Sequence, residues 1–319
     1  MPLVDQIYEM KKKKLGLTEL RPWDIEAEPE GVQPLRPFST GEELIEKTIT
    51  CFNSLSPFFG ECLRKMKELG HLDLESRKGK APGGYNCPLA ESGAPFIFMN
   101  AAGQLDDVTT MVHEGGHAIH SFLSHNLELN GFKDYPTEIA EVASMSMELF
   151  SMDHWKAFLQ NPEDLQRAKE QQLERVITIF PWIATIDKFQ HWIYEHPTHS
   201  LEERRSAWIN ILDEFTSPVL SLSGLEEYRN YSWQRQLHLF EVPFYYIEYG
   251  IAQLGAIGLW QQYKESPEKA LNNYIAALKL GGTRTLPELF RAAGLEFNFS
   301  PGHISGLMSF VKKELDSLG

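Results

Sequence analysis

His113-Glu114-Gly115-Gly116-His117 lies in the segment Asp106 to Leu127, whose apolar residues recur at three- and four-residue spacing. The segment therefore reads as a helix. On a helix, residues i and i+4 lie about 40° apart in projection and about 6 Å apart along the axis, so both imidazoles can face one ion. Neutral imidazole is a good zinc ligand, and two of them on rigid backbone leave room for a carboxylate and a water. Glu114, one residue along, falls on the adjoining face, where it can touch the water rather than the metal, as a general base would. His120 continues the same helix, and packing or a hydrogen bond accounts for it better than ligation does.

A third ligand is expected from the segment Thr137 to Leu159. Thr137 fits an N-cap, and Glu138 in the first turn is favoured by the helix dipole whatever else it does. Glu141 and Glu148 are seven residues apart and nearly superimposed on one face, among packed residues such as Ile139, Val142 and Met145. A carboxylate on an apolar face is costly to bury unless paired. Glu141 is thus expected as the metal ligand and Glu148 as a carboxylate that orients a ligand imidazole, a solvated position being the alternative for Glu148.

A second cluster runs from His238 to Gly250. Pro243 is expected to open a helix, leaving His238 in the preceding loop and Tyr245, Tyr246 and Tyr249 on the first turns. Tyr249 can share a pocket with either of the other two. Phenol or imidazole donors aimed at a developing oxyanion would stabilise it. Taken alone, aromatics at helical spacing are also what a core helix shows.

Outside these segments the chain reads as mostly helical, with Gly41 to Leu55, Pro57 to Leu69, Pro162 to His196, Ser200 to Leu222 and Pro243 to Tyr263 periodic, and Pro181 expected to kink the longest. Strand signals are confined to the region of Gly83-Gly84-Tyr85 and Ala94 to Asn100, which predicts a small sheet. The run Pro95 to Asn100 is read either as an edge strand for peptide backbone or as an internal strand behind the motif helix. No repeat and no Pro/Ser-rich linker divides the chain, so 1–319 is expected to form one catalytic unit, with 1–40 packing on it and Gly31 to Thr40 as the candidate hinge.

Composition narrows the partners. Of 319 residues, 42% are hydrophobic, which excludes a disordered or low-complexity chain. Thirty basic residues against 44 acidic give a formal charge of −14, which argues against nucleic acid and against an anionic membrane surface. No run of roughly 18 apolar residues is present. Cys51, Cys62 and Cys87 are odd in number and widely spaced, which suggests buried free thiols and, with a charged Met1 to Leu15, a cytoplasmic setting.

Lys80-Ala81-Pro82-Gly83-Gly84-Tyr85, Phe96 to Asn100, His113 to His120, Tyr135 to Glu148, His238 to Gly250 and Ala292-Ala293-Gly294-Leu295 with Phe297-Asn298-Phe299 together resemble the oligoendopeptidase F branch of the thimet oligopeptidase family of zinc metallopeptidases. The resemblance implies a zincin-like helical fold, one Zn2+ held by His113, His117 and Glu141, and Glu114 as the base. It also implies oxyanion support from His238 with Tyr246 or Tyr249. Tyr246-Ile247-Glu248-Tyr249 is similar to the tyrosine pair of angiotensin-converting-type peptidases, which ranks these two above Tyr245. Gly115 departs from the bulkier residue common in the family, and close packing against a neighbouring backbone would explain the glycine pair. Family members run to about twice this length, with an N-terminal lobe that this sequence does not include.

The expectation is a zinc endopeptidase of short unfolded peptides, alone or associated with itself or with that lobe. A zinc carboxypeptidase or dipeptidase is the alternative, for which Arg235 is the only nearby cationic anchor. An inactive zinc-binding fragment or helical binding partner is the non-enzymatic one.

Overall fold

The structure is a computed structural model and describes residues 1–319. In chain order its α-helices are α1 (Pro2–Lys14), α2 (Gly41–Leu55), α3 (Pro57–Glu68), α4 (Leu105–Ser124), α5 (Thr137–Ser151), α6 (Pro162–Glu195), α7 (Leu201–Phe215), α8 (Glu226–Arg229), α9 (His238–Glu241), α10 (Tyr246–Glu265), α11 (Pro267–Leu278), α12 (Leu286–Ala292) and α13 (Pro301–Asp316). Three strands, β1 (Leu72–Glu75), β2 (Tyr85–Cys87) and β3 (Phe96–Ala101), lie between α3 and α4. The protein is mostly helical with one small sheet, as the sequence predicts. However, β1 lies outside the Gly83 to Asn100 region to which the strand signals are confined: four residues are too few to show a pattern of their own. No helix is long and apolar enough to cross a membrane.

Local chemistry sets the helix starts. Thr40 Oγ1 accepts from the Glu43 amide at 3.1 Å to cap α2, and Ser200 and Glu203 form a reciprocal capping box on α7. The motif helix α4 opens where Asp107 Oδ2 accepts from the Gln104 amide at 2.8 Å. For α5 the cap differs from expectation: Pro136 is the N-cap and Thr137 already lies inside the helix. Proline has no N–H to satisfy, and its fixed φ carries the chain into the first turn. α6 runs without interruption through Pro181, whose carbonyl accepts from Thr185 Oγ1 at 2.7 Å.

The chain divides into two compact units. The first comprises residues 1–34 and 171–250. Its centre is an aromatic cluster in which Ile186, Phe189, Trp208, Ile211 and Trp233 are buried, with Trp182 and Tyr246 packed against it. The Trp208 indole N–H donates to the Arg229 carbonyl at 2.8 Å.

The second unit comprises 35–170 and 251–319 and contains the motif helix. Its core is built by the apolar faces of α2, α4 and α5, including Leu44, Phe52, Val108, Met111, Val142 and Phe150, all fully or almost fully buried. The sheet order is β1-β3-β2, with β3 parallel to β1 and antiparallel to β2. The run Pro95 to Asn100 is therefore internal rather than an edge, and the outer strands are β1 and β2. Lys80 Nζ donates to the carbonyls of Asp73 and Glu75, both at 2.9 Å, while Asn100 Nδ2 donates to those of Ala81 and Gly83. These bonds fasten the Lys80 to Tyr85 loop against the sheet. Cys51 and Cys62 are buried free thiols, but Cys87, at the end of edge strand β2, is exposed. A three-residue edge strand has too little cover to bury all of its side chains.

Candidate active site

Gly116 explains how α4 and α5 come close enough to share a site. A methyl group on Gly116 would lie 2.6 Å from both the Ala143 carbonyl oxygen and Ser144 Cα, so the backbones meet where no side chain fits. At Gly115 the obstacle is the Phe52 ring, 2.7 Å from the same hypothetical carbon, rather than backbone. Glycine weakens each helical position by about 1 kcal/mol relative to alanine. Here that cost secures the helix crossing that sets the carboxylates of α5 opposite the imidazoles of α4.

Across this crossing His113, His117 and Glu141 converge, one ligand atom from each lying within 4.8 Å of the other two. Glu141 Oε2 is 3.3 Å from His113 Nε2 and 3.6 Å from His117 Nε2. The imidazole rings stand edge to face with centroids 4.9 Å apart. His113 Nδ1 donates to Glu148 Oε1 at 2.6 Å, which places the Nε2 side of the ring toward Glu141. Ser144 Oγ, 3.1 Å from Glu141 Oε2, donates to that carboxylate from the next turn of α5.

The electrostatics of the cluster favour a cation. Burial works against a charged His113, yet its bonds to Glu141 and Glu148 outweigh this and hold the imidazole well above its usual pKa. Burial takes His117 the other way, down to about 4, leaving the neutral, ligating form. Two nitrogens and one carboxylate, with a further carboxylate orienting one imidazole, form a donor set suited to zinc. Glu114 is 7% exposed, and burial raises its carboxyl to about 7, with the His113 charge opposing. Its Oε2 is buried without a hydrogen-bond partner, an arrangement that fits a carboxylate reserved for a reacting water or substrate. Asn86 of β2 donates to the Glu114 carbonyl at 3.3 Å. His120 is fully buried and stacked on Tyr135 with centroids 3.5 Å apart, a packed residue as its sequence context suggests.

The second cluster lies in the other unit. His238 does not sit in a loop: it opens the single-turn helix α9, and α10 begins at Tyr246 rather than at Pro243. The cause is Phe244, which adopts φ 62 and donates its N–H to Gln190 Oε1 at 2.9 Å, so no helix can continue through it. Around His238 the rings of Tyr245, Tyr246 and Tyr249 lie at 5.7, 5.1 and 5.7 Å. Tyr249 Oη is 3.3 Å from His238 Nε2. Burial raises the Tyr246 phenol above its usual value, with the Trp182 indole and the Arg235 charge working against it.

Sequence reasoning missed Asn86, Ser144, Trp182, Gln190 and Gln236. Of these only Ser144, at i+3 from Glu141, carries a spacing signal. Asn86, Trp182 and Gln190 reach their partners through the fold, whereas Gln236 lies two residues from its partner His238, with its side chain 2.7 Å from Nδ1 but no spacing pattern to signal it.

Residues 2–307 match peptidase family M3. The chain is 27% identical over 300 residues to the oligoendopeptidase F homolog of Borreliella burgdorferi (strain ATCC 35210 / DSM 4680 / CIP 102532 / B31), covering 89% of this chain and 48% of that protein. Against oligopeptidase PepF of Bacillus subtilis (strain 168) it is 24% identical over 334 residues, covering 100% of this chain and 47% of the relative. The structure matches that of PZ peptidase A with inhibitor 2 at a TM-score of 0.92 and 31% identity, over 99% of this chain and 56% of the other. The chain thus spans about half the length of the curated relatives it matches. Because the family match takes in almost the entire sequence together with the His113 to His117 helix, the chain belongs to peptidase family M3, in its oligoendopeptidase F branch.

Proposed function

We propose that this chain is a zinc-dependent endopeptidase that cleaves short unfolded peptides, with one Zn2+ held by His113, His117 and Glu141. The observation that carries the reading is the convergence of those three ligand atoms within 4.8 Å, next to a buried Glu114 carboxylate with an unpartnered oxygen. Zinc, when bound, supplies Lewis acidity toward a peptide carbonyl and a water. Glu114 Oε2 accepts a proton from the attacking water and returns it to the leaving amine, a role suited to a carboxyl poised at about 7. Glu148 fixes the His113 ring through Nδ1, and Ser144 steadies Glu141. His238, Tyr246 and Tyr249 serve as hydrogen-bond donors to the carbonyl oxygen as charge develops on it.

The edge of β2 is the place for the peptide backbone to pair, since β3 is flanked on both sides and Asn86 links β2 to the backbone of Glu114. Backbone pairing gives affinity with little side-chain selectivity, as a peptidase acting on many sequences needs. Arg235, the cationic residue that a carboxypeptidase would call upon, is occupied over the Trp182 ring at 4.3 Å. Three unbridged cysteines are in keeping with a reducing cytoplasmic setting.

Metal analysis together with cleavage of a peptide blocked at both ends tests the reading. One equivalent of zinc and an internal cut are expected. Zinc at one equivalent with no turnover of a mixed peptide pool would make the chain a binding fragment, and cleavage restricted to unblocked peptides would make it an exopeptidase.

A further inference from the structure

Within the unit that contains His238, a hydrogen-bond chain runs from a donor whose direction cannot be reversed. The Trp182 indole nitrogen can only donate, and it lies 2.9 Å from Gln236 Oε1. The indole is fixed in place: its ring packs on the buried aromatic cluster, edge to face with Trp208 at 5.9 Å, and the Arg235 guanidinium covers it at 4.3 Å. The carbonyl end of the Gln236 amide must therefore face Trp182. Its NH2 end is then the one 2.7 Å from His238 Nδ1. An amide NH2 only donates, so Nδ1 must accept, and the ring proton of neutral His238 resides on Nε2. An Nδ1–H would set two donors against each other. At the far side of the ring, Nε2–H then donates to Tyr249 Oη, 3.3 Å away.

We infer that Gln236 is a positioning residue that locks His238 in the Nε2–H tautomer, making it a hydrogen-bond donor and excluding it as a general base through Nε2. The consequence for catalysis rests on the reading of His238 as a donor to substrate oxygen, whereas the tautomer itself does not. Such a donor needs its proton in place before charge develops, and a fixed tautomer provides that without moving the proton between ring nitrogens, the N–H turning from Tyr249 Oη to the substrate oxygen. Outer partners that orient a metal-ligating imidazole are commonly worth about 10- to 100-fold, and the same order is expected for an imidazole that must present its N–H.

The test is nitrogen NMR of the protein labelled with 15N-histidine, zinc-loaded and at neutral pH, with the His238 signals identified by their loss in His238→Phe. A protonated Nε2 and a bare Nδ1 are expected. Gln236→Glu replaces the NH2 with a carboxylate oxygen that can accept, so the proton should appear on Nδ1. Gln236→Leu, which faces Nδ1 with neither donor nor acceptor, should give both tautomers. With the doubly blocked peptide, kcat should fall about tenfold or more in both variants while KM stays within about twofold. A bare Nε2 in the unaltered protein, or unchanged ring signals in Gln236→Glu, overturns the assignment. An unchanged kcat in Gln236→Glu, where His238→Phe lowers it, overturns the positioning role. Full activity of His238→Phe would instead remove His238 from the proposed mechanism and leave the tautomer assignment standing.

Discussion

The cluster on α4 and α5 and the cluster around His238 achieve order by opposite means. In the first, every chemical group projects from a regular helix, and the two helices are held together by a glycine that admits backbone against backbone. Helical spacing then becomes geometry directly: i and i+4 place two imidazoles, i and i+7 place two carboxylates. In the second, the key groups sit on one turn of helix, a residue in left-handed backbone and the start of α10. Their order is imposed from outside by side chains such as Trp182 and Gln190, about 50 residues away in sequence. A site on regular elements tolerates little change in its frame, whereas a site on irregular backbone depends on a few individual hydrogen bonds.

The largest effect expected from this contrast is at Glu114. Glu114→Gln keeps the three ligands but removes the proton carrier, so peptidase activity should fall by about 10² to 10⁴-fold with zinc still at one equivalent. His238→Phe removes one of several donors and should cost less, about 10²-fold, on the same assay. A loss in His238→Phe equal to that in Glu114→Gln would break the comparison, because the irregular cluster would then carry as much of the chemistry as the helical one.

Next in size is Glu148. Its bond to His113 Nδ1 fixes the ring from behind, so Glu148→Gln should weaken zinc binding by about 10- to 100-fold, measured by competition with a chromogenic chelator. An unchanged affinity would show that helix geometry alone holds His113 and that the orienting carboxylate adds nothing.

The same contrast explains what could be read from the sequence. The helices and the grouping of His113, His117, Glu141 and Glu148 follow from periodicity, since a regular element converts position into direction, while β2 and β3 follow from turn signals and a short apolar run that leave β1 unread. The interior place of β3 could not be read, because pairing partners are a matter of topology and the run Pro95 to Asn100 suits an edge and a centre equally. The start of α10 could not be read for a reason that lies outside the segment: Pro243 is a good first-turn residue, but Phe244 takes φ 62 with its N–H bound by Gln190, 54 residues away. The exposure of Cys87 follows from strand length, which composition does not reveal.

A smaller effect probes the frame of the helical site. Gly116→Ala gains about 1 kcal/mol of helix propensity but places a methyl 2.6 Å from the Ala143 carbonyl oxygen and from Ser144 Cα. Overpacking of this kind costs about 1–3 kcal/mol, and backbone cannot swing away, so the thermal midpoint should fall. The control is Gly306→Ala on α13, where nothing lies within 4 Å and the same propensity gain should raise it. If both substitutions shifted the midpoint upward, the close approach of α4 and α5 would not be the constraint that Gly116 answers.

The smallest effect isolates the backbone of the irregular site. Phe244→Ala and Phe244→Gly both delete a ring that packs near His191 and Tyr194, with centroids 5.1 and 4.9 Å away, so their difference contains only the backbone. At an ordinary position glycine is the less stable of the two by about 0.4–1 kcal/mol, because its unfolded chain has more freedom to lose. At φ 62 alanine keeps the left-handed strain that glycine lacks, a cost of order 1 kcal/mol or more. Phe244→Gly should therefore equal or exceed Phe244→Ala in stability by thermal or urea denaturation, reversing the usual order. The ordinary order would mean that the chain relaxes out of the left-handed region once the ring is gone. Gln190 would then be holding the side chain of Phe244 in register rather than its backbone, and the start of α10 would owe its position to packing instead of to that one hydrogen bond.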